Sequence, residues 1–220
     1  MAMLIRKGVQ PGGIEIGCHD AIARSALIKQ LLPVEKMVAR SVRRLLLKDR
    51  FLIVNKIHEP SISHRLALYI ESRFGGFNVD CEYNGGVDGE TGRKKISDVL
   101  VRHAEIFGVL TPEEARKNSR DDFISKDVCP DIIVHRRGGR GLMDNLLVIE
   151  VKKSTNENRV DWDKYKLSRF TSGNISESLH YQFGAFMMFV CHKDPWCHII
   201  WYHNGVDFHD TRVSLADGPL

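Results

Sequence analysis

Pro130-Asp131-Ile132-Ile133-Val134 and Leu146-Leu147-Val148-Ile149-Glu150-Val151-Lys152 are the two stretches whose reading decides the fold. Both are dense in branched aliphatic residues, the composition of buried strands. Arg136-Arg137-Gly138-Gly139-Arg140-Gly141 lies between them, and its glycines mark a turn. The pair therefore reads as a β-hairpin. Eighteen residues separate Asp131 from Glu150, so closing the hairpin brings both acids to one end. Lys152 stands two residues beyond Glu150, and residues two apart on a strand share a face.

Upstream, Phe77 to Tyr83 alternates Phe77, Val79, Cys81 and Tyr83 with polar residues, a strand period. A helix is expected before it, capped by Ser61 or Ser63, running to about Arg73, buried through Ile62, Leu66, Tyr69 and Ile70, and stopped by Gly75-Gly76. Residues 85–128 read as an insertion between the first and second core strands. Within it, Thr111-Pro112-Glu113-Glu114 has the cap, first-turn proline and acids of a helix start. Downstream, Asp161 to Phe170 reads as a helix with Trp162, Tyr165 and Leu167 turned inward. Leu179–Val190 and His198–His203 read as strands, Asn204-Gly205 as a turn, and the last ten residues as a tail.

At the N-terminus, residues 1–20 hold Gly8, Pro11, Gly12, Gly13 and Gly17 and read as a loose arm. A short helix is expected over 21–32 and a second from Val34 to Lys48, with Pro33 in its first turn and Val34, Met37, Val38, Val42, Leu45 and Leu46 on one stripe. Phe51–Val54 is an apolar run of open type. Taken together, the order is that of an α/β protein with a mixed central sheet and an N-terminal helical extension. Residues 1–55 form a basic helical leader, and 56–220 form the core with its insertion at 85–128.

The 220 residues carry a net charge of +4, yet residues 1–50 alone hold ten Lys/Arg against four Asp/Glu. Such a leader suits nucleic-acid phosphates or, equally, a solvated helix face. No apolar run approaches the roughly 20 residues needed to cross a bilayer, and the N-terminus lacks the pattern of a signal peptide, so the expected location is cytoplasmic with no membrane partner. Five scattered cysteines do not make a disulfide framework. Cys191-His192 and Cys197-His198 fit no common zinc spacing. Gly89-Glu90-Thr91-Gly92-Arg93-Lys94-Lys95 lacks the spacing of a phosphate-binding loop, and there is no Gly-x-Ser-x-Gly.

Two acids and a lysine at one end of a hairpin suit hydrolysis of a phosphodiester. Water must attack an anionic centre, and a divalent cation neutralises the oxygens while acidifying a bound water. Mg²⁺ takes hard oxygen ligands. Asp131 and Glu150 offer carboxylates and Val151 a backbone carbonyl, while Lys152 is placed to stabilise the developing charge.

Pro130-Asp131…Glu150-Val151-Lys152 resembles the PD-(D/E)xK nuclease superfamily, which includes restriction endonucleases, Holliday-junction resolvases and RecB-like nucleases. The resemblance covers about residues 60–203, because the order of elements is also similar to that family's αβββαβ core. It implies a restriction endonuclease-like fold and a Mg²⁺- or Mn²⁺-dependent nuclease acting on nucleic acid, DNA first. It also implies that Asp131 and Glu150 bind the metal and Lys152 assists catalysis. The family often adds an acid from the first core helix. At the usual position stand His64 and Arg65, so Glu59, His64 and Glu71 are the candidates. Gln182 is a further one, because the family can use a glutamine after the lysine strand. Arg136, Arg137 and Arg140 on the hairpin loop, with Lys153, are the expected backbone contacts. The alternative is the same fold kept as an inactive nucleic-acid or protein-binding module. A homodimer joined through the Val34–Lys48 helix is the expected assembly.

Overall fold

The computed structural model describes residues 18–83, 95–117, 123–139, 143–156, 159–173 and 180–217. The chain opens with one long helix, α1 (Cys18–Lys48), followed by α2 (Arg50–Val54) and α3 (Glu59–Glu71). The two expected leader helices are continuous, and Pro33 lies inside α1. A proline there removes one backbone bond at a cost of about 3 kcal/mol. Burial outweighs it: Leu31, Val34, Val38, Val42, Leu45 and Leu46 all enter the core, each worth about 1.5–3 kcal/mol. The apolar stripe of the Val34–Lys48 segment therefore packs within its own chain. Of the expected loose arm, residues 18–20 are helical and residues 1–17 lie outside the described residues.

Neither Ser61 nor Ser63 caps α3. The helix begins earlier, at Glu59, with Pro60 in its first turn and His58 at the cap position. Proline's fixed φ and a carboxylate at the positive helix end both favour that start. Ser63 is buried instead and bonds back to the Glu59 carbonyl at 3.2 Å. Ser41 of α1 donates to the Tyr69 carbonyl of α3 at 3.1 Å, so the two helices meet closely.

A six-strand mixed sheet forms the centre. β1 (Asn78–Cys81) pairs antiparallel with β4 (Ile132–His135), and β4 with β5 (Asn145–Lys153). Between β1 and β4 come β2 (Lys95–Leu100), α4 (Val101–Ile106), α5 (Pro112–Lys117) and β3 (Phe123–Asp127). Here β2 and β3 make a separate two-stranded sheet. Thr111 starts α5 as expected: it receives the Glu114 N–H at 3.2 Å, and the Glu114 carboxylate accepts the Thr111 N–H at 2.8 Å.

After β5, α6 (Val160–Thr171) crosses to β6 (Phe183–Val190), which runs parallel to β5. β7 (Trp196–His203) and β8 (Val206–Ser214) complete the order β1-β4-β5-β6-β7-β8. The expected tail is corrected here, because residues 211–214 belong to β8. Trp201 donates its indole N–H to Thr211 at 3.0 Å and ties that strand in.

Alternate residues feed two cores. Ile132, Val134, Leu147, Ile149 and Val151 face α1 and α3. Ile133, Val148 and Phe186 face Trp162, Leu167 and Phe170 of α6. Residues 132–134 and 147–151 are buried throughout, as expected of strands covered on both faces.

Candidate active site

The β4–β5 register pairs Ile132 with Ile149, so Asp131 and Glu150 come opposite each other where the hairpin opens. Asp131 accepts the Val151 N–H at 2.7 Å. In an extended strand the N–H and C=O of one residue project to the same side, so the Val151 carbonyl also faces the Asp131 side. Glu150 and Lys152 share the α6 face with Val148. Glu150 is 1% exposed. One of its oxygens, Oε2, receives the Lys166 ammonium at 2.7 Å. The other, Oε1, is buried without a hydrogen-bond partner.

Two residues that sequence reasoning passed over complete the cluster. Asp163 and Lys166 project from α6 and pair with each other at 2.9 Å. Lys152 reaches Asp163 at 2.9 Å and Glu59 at 3.7 Å. The signal was present: Trp162, Lys166 and Phe170 repeat every four residues, which puts a lysine on the apolar row of a helix. Both charged residues are buried.

Glu59 joins from the first turn of α3. Its Oε1 accepts the Lys153 N–H at 3.2 Å and the Asn156 amide at 3.1 Å. Of the three first-helix candidates it is the one that reaches the cluster. His64 and Glu71 are exposed on α3. Gln182 lies at the other end of the sheet, where its N–H donates to the Asn145 carbonyl at 3.0 Å and its side-chain amide to the Met143 carbonyl at 3.4 Å.

The residues expected to contact phosphates lie apart from the cluster. Lys153 turns away and donates to the Lys56 and Ile57 carbonyls at 3.0 and 3.1 Å, pinning the segment before α3. Arg136 and Arg137 stand beyond the far end of β4, about 16–20 Å from Asp131 at strand rise. Arg137 is paired with Asp80, and Arg136 packs 4.9 Å from the Phe77 ring centre. Arg140 lies outside the described residues.

The electrostatics follow from burial. Burial pushes the Glu150 carboxyl well above its usual range, with Lys166 pulling it back and Asp131 and Asp163 adding to the rise. Burial also raises Asp131, opposed by the Val151 N–H and Lys166. Lys166 goes the other way: burial alone would lower it, yet Glu150 and Asp163 hold its ammonium above the ordinary lysine value. Lys152 is likewise lowered by burial and raised further by Asp163 and Glu59. In this buried pair desolvation opposes charge on both partners, while each partner's charge favours the other's.

A buried carboxylate oxygen without a partner, opposite a second carboxylate, fits a hard cation. Asp131, Glu150 and the Val151 carbonyl supply oxygen donors. Among the described residues no three His, Cys, Asp or Glu side chains group closely enough to hold an ion by themselves. Backbone oxygen and water would complete the shell, as Mg²⁺ prefers. No family model, curated protein or solved structure matches the chain.

Proposed function

We propose that this chain is a metal-dependent nuclease of the PD-(D/E)xK type, hydrolysing phosphodiester bonds in nucleic acid, DNA first. The observation that carries this reading is the meeting of Asp131 and Glu150 across the hairpin, with Lys152 on the same face and one Glu150 oxygen buried unpaired. Further support comes from the element order. α3-β1-β4-β5-α6-β6, with β5 parallel to β6, has the αβββαβ sequence of restriction endonuclease-like cores. Glu59 supplies the acid that such cores often draw from their first helix.

Asp131, Glu150 and the Val151 carbonyl would hold Mg²⁺ or Mn²⁺. Such a cation, when bound, neutralises phosphate oxygens and makes a water acidic enough to attack. The chain's own residues do the rest. Asp131 is fixed by the Val151 N–H. Lys152 is braced by Asp163 and Glu59, so its ammonium stands ready at the mouth of the hairpin to stabilise charge building on phosphorus. α1 offers Lys29, Lys36, Arg40, Arg44 and Lys48 on its exposed side for phosphate contact. Glu35, the one acid between Lys29 and Lys48, is turned inward to Thr211. No described helix is long and apolar enough to cross a membrane.

The test is cleavage of single-stranded, duplex and branched DNA and of RNA, with and without Mn²⁺. Activity should require the ion, and should fall at least about a hundredfold in Asp131→Asn, Glu150→Gln and Lys152→Ala. Substrates left intact with Mn²⁺ would remove the enzymatic reading. Salt-dependent binding that persists in Asp131→Asn, without turnover, would point to a binding module instead.

A further inference from the structure

We infer that Lys166 is a built-in counter-cation that occupies Glu150 in the metal-free protein and hands it over to the incoming divalent ion. The inference rests on the metal reading of Asp131 and Glu150 and adds what that site must displace in order to load.

Its basis is geometric. Glu150 is buried, and among the described residues its ion-pair partner is Lys166, at 2.7 Å. Lys152, the lysine of the hairpin motif, does not serve Glu150; it is engaged with Asp163 and Glu59. A carboxylate taken out of water alone is strongly disfavoured, so a buried Glu150 carboxylate calls for a cation beside it. Lys166 meets that need from a different element. It stands on α6 between Trp162 and Phe170, which fix the helix against the sheet, and is itself 7% exposed. Its stem is held by that packing, so the exchange asks only its ammonium to move.

The ammonium also has somewhere to go. Lys166 is shared between Glu150 and Asp163, at 2.7 and 2.9 Å. When a divalent ion takes Glu150, Lys166 keeps Asp163 and is not stranded as a buried lone charge. Asp163 is thus the hinge of the exchange, because it already holds Lys152 on its other oxygen. The arrangement makes Lys166 a positioning residue. It holds Glu150 in place without a metal, and it competes with the metal for the same carboxylate.

Competition has a sign that a purely structural brace lacks. Removing a brace weakens metal binding or leaves it unchanged, whereas removing a competitor strengthens it. The experiment is a calorimetric Mn²⁺ titration of the full chain at fixed pH and ionic strength, for wild type, Lys166→Met and Lys166→Arg. Lys166→Met should bind Mn²⁺ at least about tenfold tighter than wild type, because a unit charge beside Glu150 is gone. Lys166→Arg, which keeps the charge, should stay near wild type. The thermal midpoint of Lys166→Met should drop without metal and recover when Mn²⁺ is added.

Equal or weaker binding in Lys166→Met, with wild type binding normally, overturns the exchange while leaving the metal centre intact. If neither protein binds Mn²⁺, the metal centre itself is wrong and the exchange goes with it. Should Lys166→Met fail to fold, the wild-type crystal soaked in Mn²⁺ decides. An ion on Glu150 with the Lys166 ammonium moved out of hydrogen-bond range supports the exchange. An ion seated there with the 2.7 Å pair intact overturns it.

Discussion

Asp163 has two ammonium partners, and it shows why the site was only half legible in the sequence. Asp131, Glu150 and Lys152 could be found because strand periodicity and a hairpin bridge fix where their side chains go. Asp163 and Lys166 sit in Asp161-Trp162-Asp163-Lys164-Tyr165-Lys166, where alternating charges look like a solvated helix face. The four-residue repeat of Trp162, Lys166 and Phe170 marks the row as internal, and the packing of Trp162 and Phe170 on the sheet carries Lys166 in with it. Asp80 gives a cleaner case of a charge read by its neighbours. Arg137, bonded to it, and then His135 at 2.8 Å hold its carboxyl below the usual carboxylate range, against the opposing effect of burial. A depressed folded value means the unfolded chain binds the proton more tightly. Stability from Asp80 is therefore complete above about pH 4, the unfolded value, and drains away as pH falls through the folded one. Asp80→Asn should lower the thermal midpoint at pH 7, and the gap to wild type should close below about pH 4. A gap that is unchanged at low pH would show that the pairing contributes nothing.

At the scale of the element, local rules failed where tertiary burial overrode them. Pro33 reads as a helix start, yet the apolar stripe on both sides of it packs into one core and α1 runs through. The last four residues of β8 read as tail because it is an edge strand. Val213 is its one buried residue among the nine, so little apolar alternation is left to see. The hairpin of β4 and β5 was legible because each of its strands is covered on both faces and shows as an unbroken aliphatic run. A different constraint operates where α6 meets β6. A Cβ on Gly184 would come within 3.1 Å of both Thr171 Cγ2 and Tyr202 Cβ. The glycine is what lets the crossover helix lie close enough for Lys166 to reach Glu150. Gly184→Val should destabilise the fold by about 1–3 kcal/mol through overpacking, measured by denaturant unfolding. An unchanged midpoint would mean that α6 has slack at this point.

On the scale of the whole molecule, charge and strand order set what the protein can meet. The exposed side of α1 carries basic residues along about 28 Å, from Lys29 to Lys48 at helical rise. Its C-terminal end leads to Arg50, which bonds the Lys193 carbonyl in the loop after β6. Since β6 runs parallel to β5, that loop lies at the Lys152 end of the sheet. Lys36→Glu, Arg40→Glu and Arg44→Glu combined should weaken duplex binding, and should flatten the dependence of log affinity on log salt by about 2–3. An unaltered slope in a filter-binding or anisotropy titration would assign the basic side of α1 to solvent alone. The sheet's two rims carry a separate consequence. β1 spans only four residues, and β8 presents Asp207, Asp210 and Arg212 outward. A neighbouring copy sliding in to extend the sheet would find either too short a template or a row of ions that resists dehydration. Both described rims are therefore poor templates for fibril growth, which disfavours stacking of one copy's sheet onto another's.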